Sequence, residues 1–242
     1  MTSTEVRSPG APRGASTSRS LAPYLREFLR YPSPWVLAGW FTLAMVVRIL
    51  VGDWGWADLI AVGAMILVQP FVEWVMHVVV LHFRPRTIRG RIVDLHVARE
   101  HRRHHVDPKD VPRTFIPHLT LAEAIVGITA AAWLLSTTHA LAATITAFAA
   151  VQLSAYEWTH FLIHTSYRPK GRHFRSIAKA HRLHHYRNER YWMGVTSNAA
   201  DRMLGTFPER SAVELSPTAR NLTGALAADD AGEPAPDSTV PE

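Results

Sequence analysis

The sequence predicts an all-α integral membrane protein, with about four transmembrane helices and a cytoplasmic helical cap that holds a histidine-rich dimetal site. Three observations lead there. Apolar residues make up 48% of the 242-residue chain but are pooled in four blocks rather than spread along it. Of 26 Lys and Arg residues, 25 fall on one side of the connections those blocks define. Fourteen histidines are present in a chain whose commonest residues would ordinarily be Leu, Ala, Gly, Ser, Val, Glu and Lys. Most of them form short motifs on the basic side.

Residues 1–32 are rich in Ser, Pro, Gly and Arg, without an apolar period or the apolar core of a secretory signal, and are expected to be a disordered basic arm. The first apolar block, 34–51, is long enough to nearly cross a hydrocarbon core, and its one charge, Arg48, lies near an end from which it can snorkel. A second block covers 59–81, interrupted by Pro70 and Glu73. The third, 119–136, and the fourth, 140–163, are separated only by Thr137, Thr138 and His139. Blocks this long and this free of charge read as membrane spans rather than core helices. The embedded domain is therefore expected over 33–208. The tail, 209–242, is Ala, Pro and Asp rich and is expected to be disordered.

Four spans put the N-terminus, the 83–118 loop and everything after 164 on one side. Nearly all Lys and Arg lie there, whereas the connections 52–56 and 137–139 carry none. By the positive-inside rule that side, with both termini, is cytoplasmic. The same collar accounts for a net charge of +6 without nucleic acid, since it faces anionic headgroups. The absence of cysteine excludes disulfides, thiolate zinc sites, iron–sulfur clusters and cysteine nucleophiles. Metal or acid–base chemistry must use imidazole, carboxylate or water.

Ten histidines form four motifs: His77 and His82; His101, His104 and His105; His160 and His164; His181, His184 and His185. Positions i, i+3 and i+4 share a helical face, so each HxxHH is expected to present three imidazoles to a common point. A spacing of five separates His77 from His82 by more than about 100° on an ideal helix, so these two bind different metals or flank a distorted turn. Imidazoles grouped among Arg102, Arg103 and Arg182 would be costly to protonate together, and bound metal keeps them neutral. Ten donors exceed what one ion accepts and suit two ions of five or six coordination. The ligand type leaves Fe, Zn, Cu and Ni open.

The order repeats. Glu73-Trp74 precedes His77, then come Arg84-Pro85 and His101-Arg-x-His-His; Glu157-Trp158 precedes His160, then come Arg168-Pro169 and His181-Arg-x-His-His. Two related halves are implied. Glu73 and Glu157 lie four and three residues before a histidine, where a carboxylate can accept the N–H of a ligating imidazole.

At these motifs, and at Met193-Gly-Val-Thr-Ser-Asn-Ala-Ala-Asp201-Arg-Met-Leu-Gly-Thr206, the chain resembles the fatty acid hydroxylase and sterol desaturase superfamily of membrane non-haem di-iron oxygenases. Ala200 stands where the family often has Trp. The motif order is closest to the fatty acid 2-hydroxylase branch. The resemblance implies ten metal ligands, His77, His82, His101, His104, His105, His160, His164, His181, His184 and His185, around two iron ions, with Zn possible in purified protein. It places Glu73, Glu157 and Asp201 behind the ligands, and leaves His96 and His173 outside the pattern. It implies an O2-dependent monooxygenase that hydroxylates a C–H bond of a fatty acyl or related lipid. Sterol or carotenoid hydroxylation, or desaturation, is the alternative within the superfamily, and a membrane metal-binding or transport protein the alternative outside it. No His-Pro-Gly-Gly signature of a fused cytochrome b5 is present. The two electrons are therefore expected from a separate donor of cytochrome b5, ferredoxin or reductase type. The use of 23 Arg against 3 Lys and the lack of a retention signal lean the expected location toward a bacterial plasma membrane over the endoplasmic reticulum.

Overall fold

A computed structural model describes residues 20–220 and 222 of the chain. The first 19 residues of the expected N-terminal arm, and all but the opening of the expected tail, lie outside the described residues. The elements are helix α1 (Ala22–Phe28), α2 (Pro32–Val51), α3 (Trp56–Val75) continuing as a π-helical turn (Met76–Leu81), strands β1 (Arg86–Ile88) and β2 (Arg91–Val93), α4 (His96–Val106), a 3₁₀ turn (Val111–Thr114), α5 (His118–Leu135), α6 (His139–His164), α7 (Arg172–Tyr186), α8 (Ala199–Met203) and a 3₁₀ turn (Arg210–Ala212). The two strands form a small antiparallel hairpin with Thr87 opposite Ile92.

Each long helix begins and ends for a local reason. Pro32, at the first position of α2, needs no intrahelical N–H partner, and Gly52 stops the helix at a φ of +66°, where a side chain would be strained. Asp58 accepts from the Gly55 backbone N–H in a capping interaction at the start of α3. The hydroxyl of Thr138 accepts from Leu141 N–H at 3.1 Å to open α6.

Three helical segments, Pro32–Val51, Trp56–Leu81 and Val111–Leu135, are long and apolar enough to cross a membrane. Their outward faces carry exposed Leu43, Ile49, Leu59, Leu67, Val126 and Leu134. Trp54 and Trp56 at one end and Trp35 at the other are exposed where an aromatic belt sits in lipid headgroups. The fourth apolar block behaves differently. It becomes α6, 26 residues long, which α2, α3 and α5 surround. Buried Ala142, Ala143, Ala147, Ala149 and Ala150 let those helices approach closely. Its alanine, threonine and serine content, suited to protein contact rather than lipid, makes it less apolar than the other three. Among the described residues, three helices therefore meet the criteria for a span, and the fourth block forms the central helix of the bundle.

Arg48 does not snorkel. It is fully buried; its guanidinium donates to Thr144 Oγ1 at 2.7 Å and to Asp58 Oδ2 at 2.8 Å, binds the Gly52 carbonyl, and lies 3.7 Å from the centre of the Trp54 ring. Thr144 in turn donates to Asp58. This cluster ties α2, α3 and α6 together at the end of the bundle away from the histidines.

Two boundaries extend past the composition-based expectation. Within the expected N-terminal arm, α1 buries Tyr24 and Phe28 against Phe115, Trp158 and Phe161. Within the expected tail, Val213, Ala219 and Leu222 are buried. Both segments are polar on average and owe their order to a few anchors, which composition alone does not register.

The far-end cluster generates a prediction. Asp58→Ala leaves a buried guanidinium unpaired and should lower unfolding stability in detergent by about 1–3 kcal/mol. The double variant Arg48→Met/Asp58→Ala should recover part of that loss, as read by thermal melting.

Candidate metal centre

All ten motif histidines converge on the end of the bundle where α3, α4, α6 and α7 meet. The five-residue spacing of the first motif is resolved by the π-helical turn. His82 N–H donates to the His77 carbonyl at 3.0 Å, an i to i+5 bond that widens the turn and returns the two rings to one side with centroids 4.8 Å apart. The distorted-turn reading of that spacing is the one realised. The two rings belong to the same group rather than to different ones.

The imidazoles form two sets of five, His77, His82, His101, His105 and His184, and His104, His160, His164, His181 and His185, with the donor atoms of each set within 4.8 Å of one another. This corrects the expectation that each HxxHH points all three rings at one place. Positions i and i+4 face one way, toward the set of their own half, and position i+3 crosses over. His104 joins the second half and His184 the first. The two halves are thus interleaved about a pseudo-twofold, with His105 and His185 stacked between the sets at 4.1 Å. Arginines beside the motifs tie both HxxHH helices to the residues next to His82 and His164. Arg102, buried, donates to the Phe83 carbonyl and binds Asp94, and Arg182 donates to the Ile163 carbonyl.

Ring orientation shows which nitrogens are free. His77 Nδ1 lies 2.6 Å from Met193 O, His105 Nδ1 2.8 Å from Ala219 O, His160 Nδ1 2.7 Å from Thr114 O and His184 Nδ1 2.8 Å from Tyr191 O. A carbonyl only accepts, so each Nδ1 carries the proton and each Nε2 carries a lone pair. His105 Nε2 and His184 Nε2 nevertheless face each other at 3.2 Å. Two lone pairs at that distance repel unless a cation lies between them. Similar Nε2 to Nε2 separations of 3.1–3.2 Å recur at His77–His101, His101–His105, His104–His164, His164–His181 and His181–His185. Two donors at right angles on an ion about 2.2 Å from each lie about 3.1 Å apart. His160 Nε2 and His82 Nε2 are buried without a hydrogen-bond partner among the described residues. The donor set and its spacing fit two transition-metal ions.

The carboxylates act one layer further out than expected. Glu73 accepts from the backbone N–H of Val195, and from Thr196 N–H at 2.8 Å and Thr196 Oγ1 at 2.5 Å. Asp201 accepts from Met193 N–H at 2.9 Å, Gly194 N–H at 2.7 Å and Thr206 Oγ1 at 2.6 Å. Together they pin the loop whose Met193 carbonyl orients His77. Glu157 accepts from Ser33 Oγ at 2.6 Å and Ile116 N–H at 3.0 Å, two residues beyond the Thr114 carbonyl that orients His160. The N–H groups of His77, His105, His160 and His184 go to backbone carbonyls rather than to acidic side chains. The crowding explains Gly194: a Cβ there would sit 2.0 Å from the Ser197 carbonyl oxygen. Of the orienting groups, only the Gly194 loop left a signal in the sequence; a carbonyl has no residue signature.

A cavity of about 930 Å³ leads to the two sets. Its inner wall is apolar, with Met65, Val68, Ile128 and Leu153 between α3, α5 and α6, and it reaches His77, His101 and His160. Its mouth carries Glu100, Arg103, Asp110 and Arg113, paired with one another. His96 lies exposed at that mouth, and His173 binds the Thr196 carbonyl at 3.1 Å; neither belongs to a five-histidine set.

Burial dominates the electrostatics of the cap. Desolvation, then neighbouring imidazoles, holds His101, His104, His181 and His185 well below the ordinary histidine value, and burial brings His105 down to about 3 against the pull of its bond to Ala219. These rings are neutral at pH 7, as ligation requires. A folded-state value below the unfolded one means that the unfolded chain binds more protons below about pH 6.5. Stability is therefore full above that point and falls as the pH drops toward the depressed values. Metal-free protein in detergent should show a falling melting temperature from about pH 6.5 downward, steeper than that of a His105→Gln variant.

Comparison with known proteins agrees with this geometry. The family model described as fatty acid hydroxylase matches residues 62–206. No curated protein matches the sequence. A solved structure titled "Full length scs7p (only hydroxylase domain visible)" is similar in fold, with a TM-score of 0.62 at 21% identity, covering 76% of this chain and 69% of the other. The family match takes in the π-helical turn, both HxxHH motifs and the Gly194 loop, so that the chain belongs to the fatty acid hydroxylase family.

Proposed function

We propose that the protein is a membrane di-iron monooxygenase that hydroxylates a C–H bond of a fatty acyl or related lipid, using O2 and two electrons from a separate redox protein. One observation carries this reading. The apolar cavity between spanning helices ends on the imidazoles of both sets, with His77 and His101 from one and His160 from the other. Family membership and the likeness in fold to a hydroxylase domain support it. The donors sit at one end of the helices rather than at mid-span, which disfavours a metal transporter.

The residues divide the work. His77, His82, His101, His105 and His184 would hold one iron, and His104, His160, His164, His181 and His185 the other. Bound there, the iron pair supplies reductive activation of O2 and oxidation of an unactivated C–H bond. The chain itself binds, orients and dries the substrate. Met65, Val68, Ile128 and Leu153 receive an acyl chain from the bilayer side and fix its reach. The paired charges at the mouth keep a polar headgroup in water. Burial of the rings excludes bulk water from the reacting carbon. Backbone carbonyls of Met193, Thr114, Tyr191 and Ala219 hold the ring tautomers that leave Nε2 free for metal. The basic side, with both termini, is cytoplasmic in this reading, and the membrane is a bacterial plasma membrane.

Membranes containing the protein, given iron, a reductase system and O2, should accumulate lipid with one added oxygen. His104→Ala or His184→Ala should reduce this at least a hundredfold, to the level of membranes lacking the protein. Undiminished hydroxylated lipid from either variant contradicts the assignment.

A further inference from the structure

Beyond residue 206, where the family match ends, the chain does not leave the cap. It turns through Arg210–Ala212 and crosses beside the first five-histidine set. Val213 is buried with Ala180 and Trp192, and its carbonyl accepts from Arg187 Nε at 2.7 Å. Ser216 N–H donates to the Arg187 carbonyl at 2.7 Å, and Thr218 Oγ1 donates to the buried Glu189 at 2.6 Å. Ala219 is 2% exposed and Leu222 3%. Arg220 donates to the Val106 carbonyl at 3.0 Å, closing the segment onto the end of α4.

The consequence lies at His105. Its Nδ1 donates to the Ala219 carbonyl at 2.8 Å, and that bond is what leaves its Nε2 facing His184 Nε2 and His101 Nε2 with a lone pair. The matching atom in the other half, His185 Nδ1, is buried with no hydrogen-bond partner among the described residues. The internal symmetry of the fold is broken here by a segment belonging to neither half. A polar, proline-containing stretch of this composition would not order by itself. It is held by Arg187 and Glu189 of the cap, by its own Arg220 on the Val106 carbonyl, and by three apolar anchors.

We infer that residues 213–220, with Leu222 as a further anchor, form a strap that completes one metal set and not the other, with the Ala219 carbonyl as a positioning group for His105. The inference rests on the metal-binding reading above. Without the strap, His105 loses its acceptor and is free to change tautomer or rotate. The set of His77, His82, His101, His105 and His184 then keeps two donors oriented by carbonyls, His77 and His184, whereas the set around His160 keeps all its contacts. Loss of an outer hydrogen-bond partner of a ligating histidine costs about 10–100-fold in metal affinity. The strap is thereby a point at which occupancy of one site can be controlled from the chain's C-terminal side.

The test uses full-length protein, Val213→Asp, which places a charge among Ala180 and Trp192, and a chain ended after Ala212, each in detergent. A chain ended after Gly224 is the control, and His105→Ala the benchmark. Each is loaded with iron, dialysed against a weak chelator, and measured for metal per chain and thermal melting. Full-length protein and the control should retain two ions. Val213→Asp and the chain ended after Ala212 should retain about one, matching His105→Ala, and bind the second 10–100-fold more weakly. Retention of two ions by both strap variants overturns the inference, and so does parallel loss of both ions. Full-length protein that binds no metal would instead sink the proposed function, and would be seen before any variant is compared.

Discussion

The structure depends on one electrostatic constraint: neutral imidazoles whose proton-bearing nitrogens are already committed to carbonyls aim their lone pairs at one another across about 3.2 Å. Such an arrangement is repulsive by itself and becomes attractive only around a cation. Everything in the cap serves to hold it. The carbonyls of Met193, Tyr191, Thr114 and Ala219 set the tautomers, and Glu73, Asp201 and Glu157 set the loops that present the first and third of these. Buried Arg102 and exposed Arg182 tie the HxxHH helices back to the ends of α3 and α6. Positive charge is kept close but is spent on carboxylates and carbonyls rather than aimed at the rings.

The membrane helices supply what the cap cannot. Central α6 carries Glu157, His160 and His164 on a helix that α2, α3 and α5 enclose, so the donor pair is fixed by the most buried element of the bundle. The π-helical turn at the end of α3 brings His77 and His82 to one side, at the cost of regular hydrogen bonding over six residues. At the opposite end, Arg48 and Asp58 lock α2, α3 and α6. Between these two fixed ends runs the apolar cavity, bounded by α3, α5 and α6. The path of a lipid chain toward the rings is therefore set by helices that are themselves pinned at both ends.

Much of this was legible in the sequence, and the failures have physical causes. The apolar blocks and the four histidine motifs are patterns of side-chain type, and they located the helices, the cap and all ten rings. The sharing of rings was not legible. That His104 and His184 cross between halves depends on the angle at which α4 and α7 meet, a tertiary quantity. That the fourth block would be the enclosed central helix was not legible either, because its alanines count as apolar whether they face lipid or close helix contacts. Arg48 read as snorkelling because its partner Asp58 lies in the next helix, beyond any local period. The strap was invisible for a different reason: it acts through the Ala219 carbonyl, and every residue has one.

The interleaving of the halves is the claim most open to direct measurement. Anomalous diffraction at the iron edge on crystals of iron-loaded protein should show two peaks, one within each five-histidine set. In His104→Ala crystals the peak beside His160, His164, His181 and His185 should fall while the other remains, even though His104 belongs to the first half of the sequence. Loss instead of the peak beside His77, His82 and His101 would show that each half builds its own site, and would contradict the account.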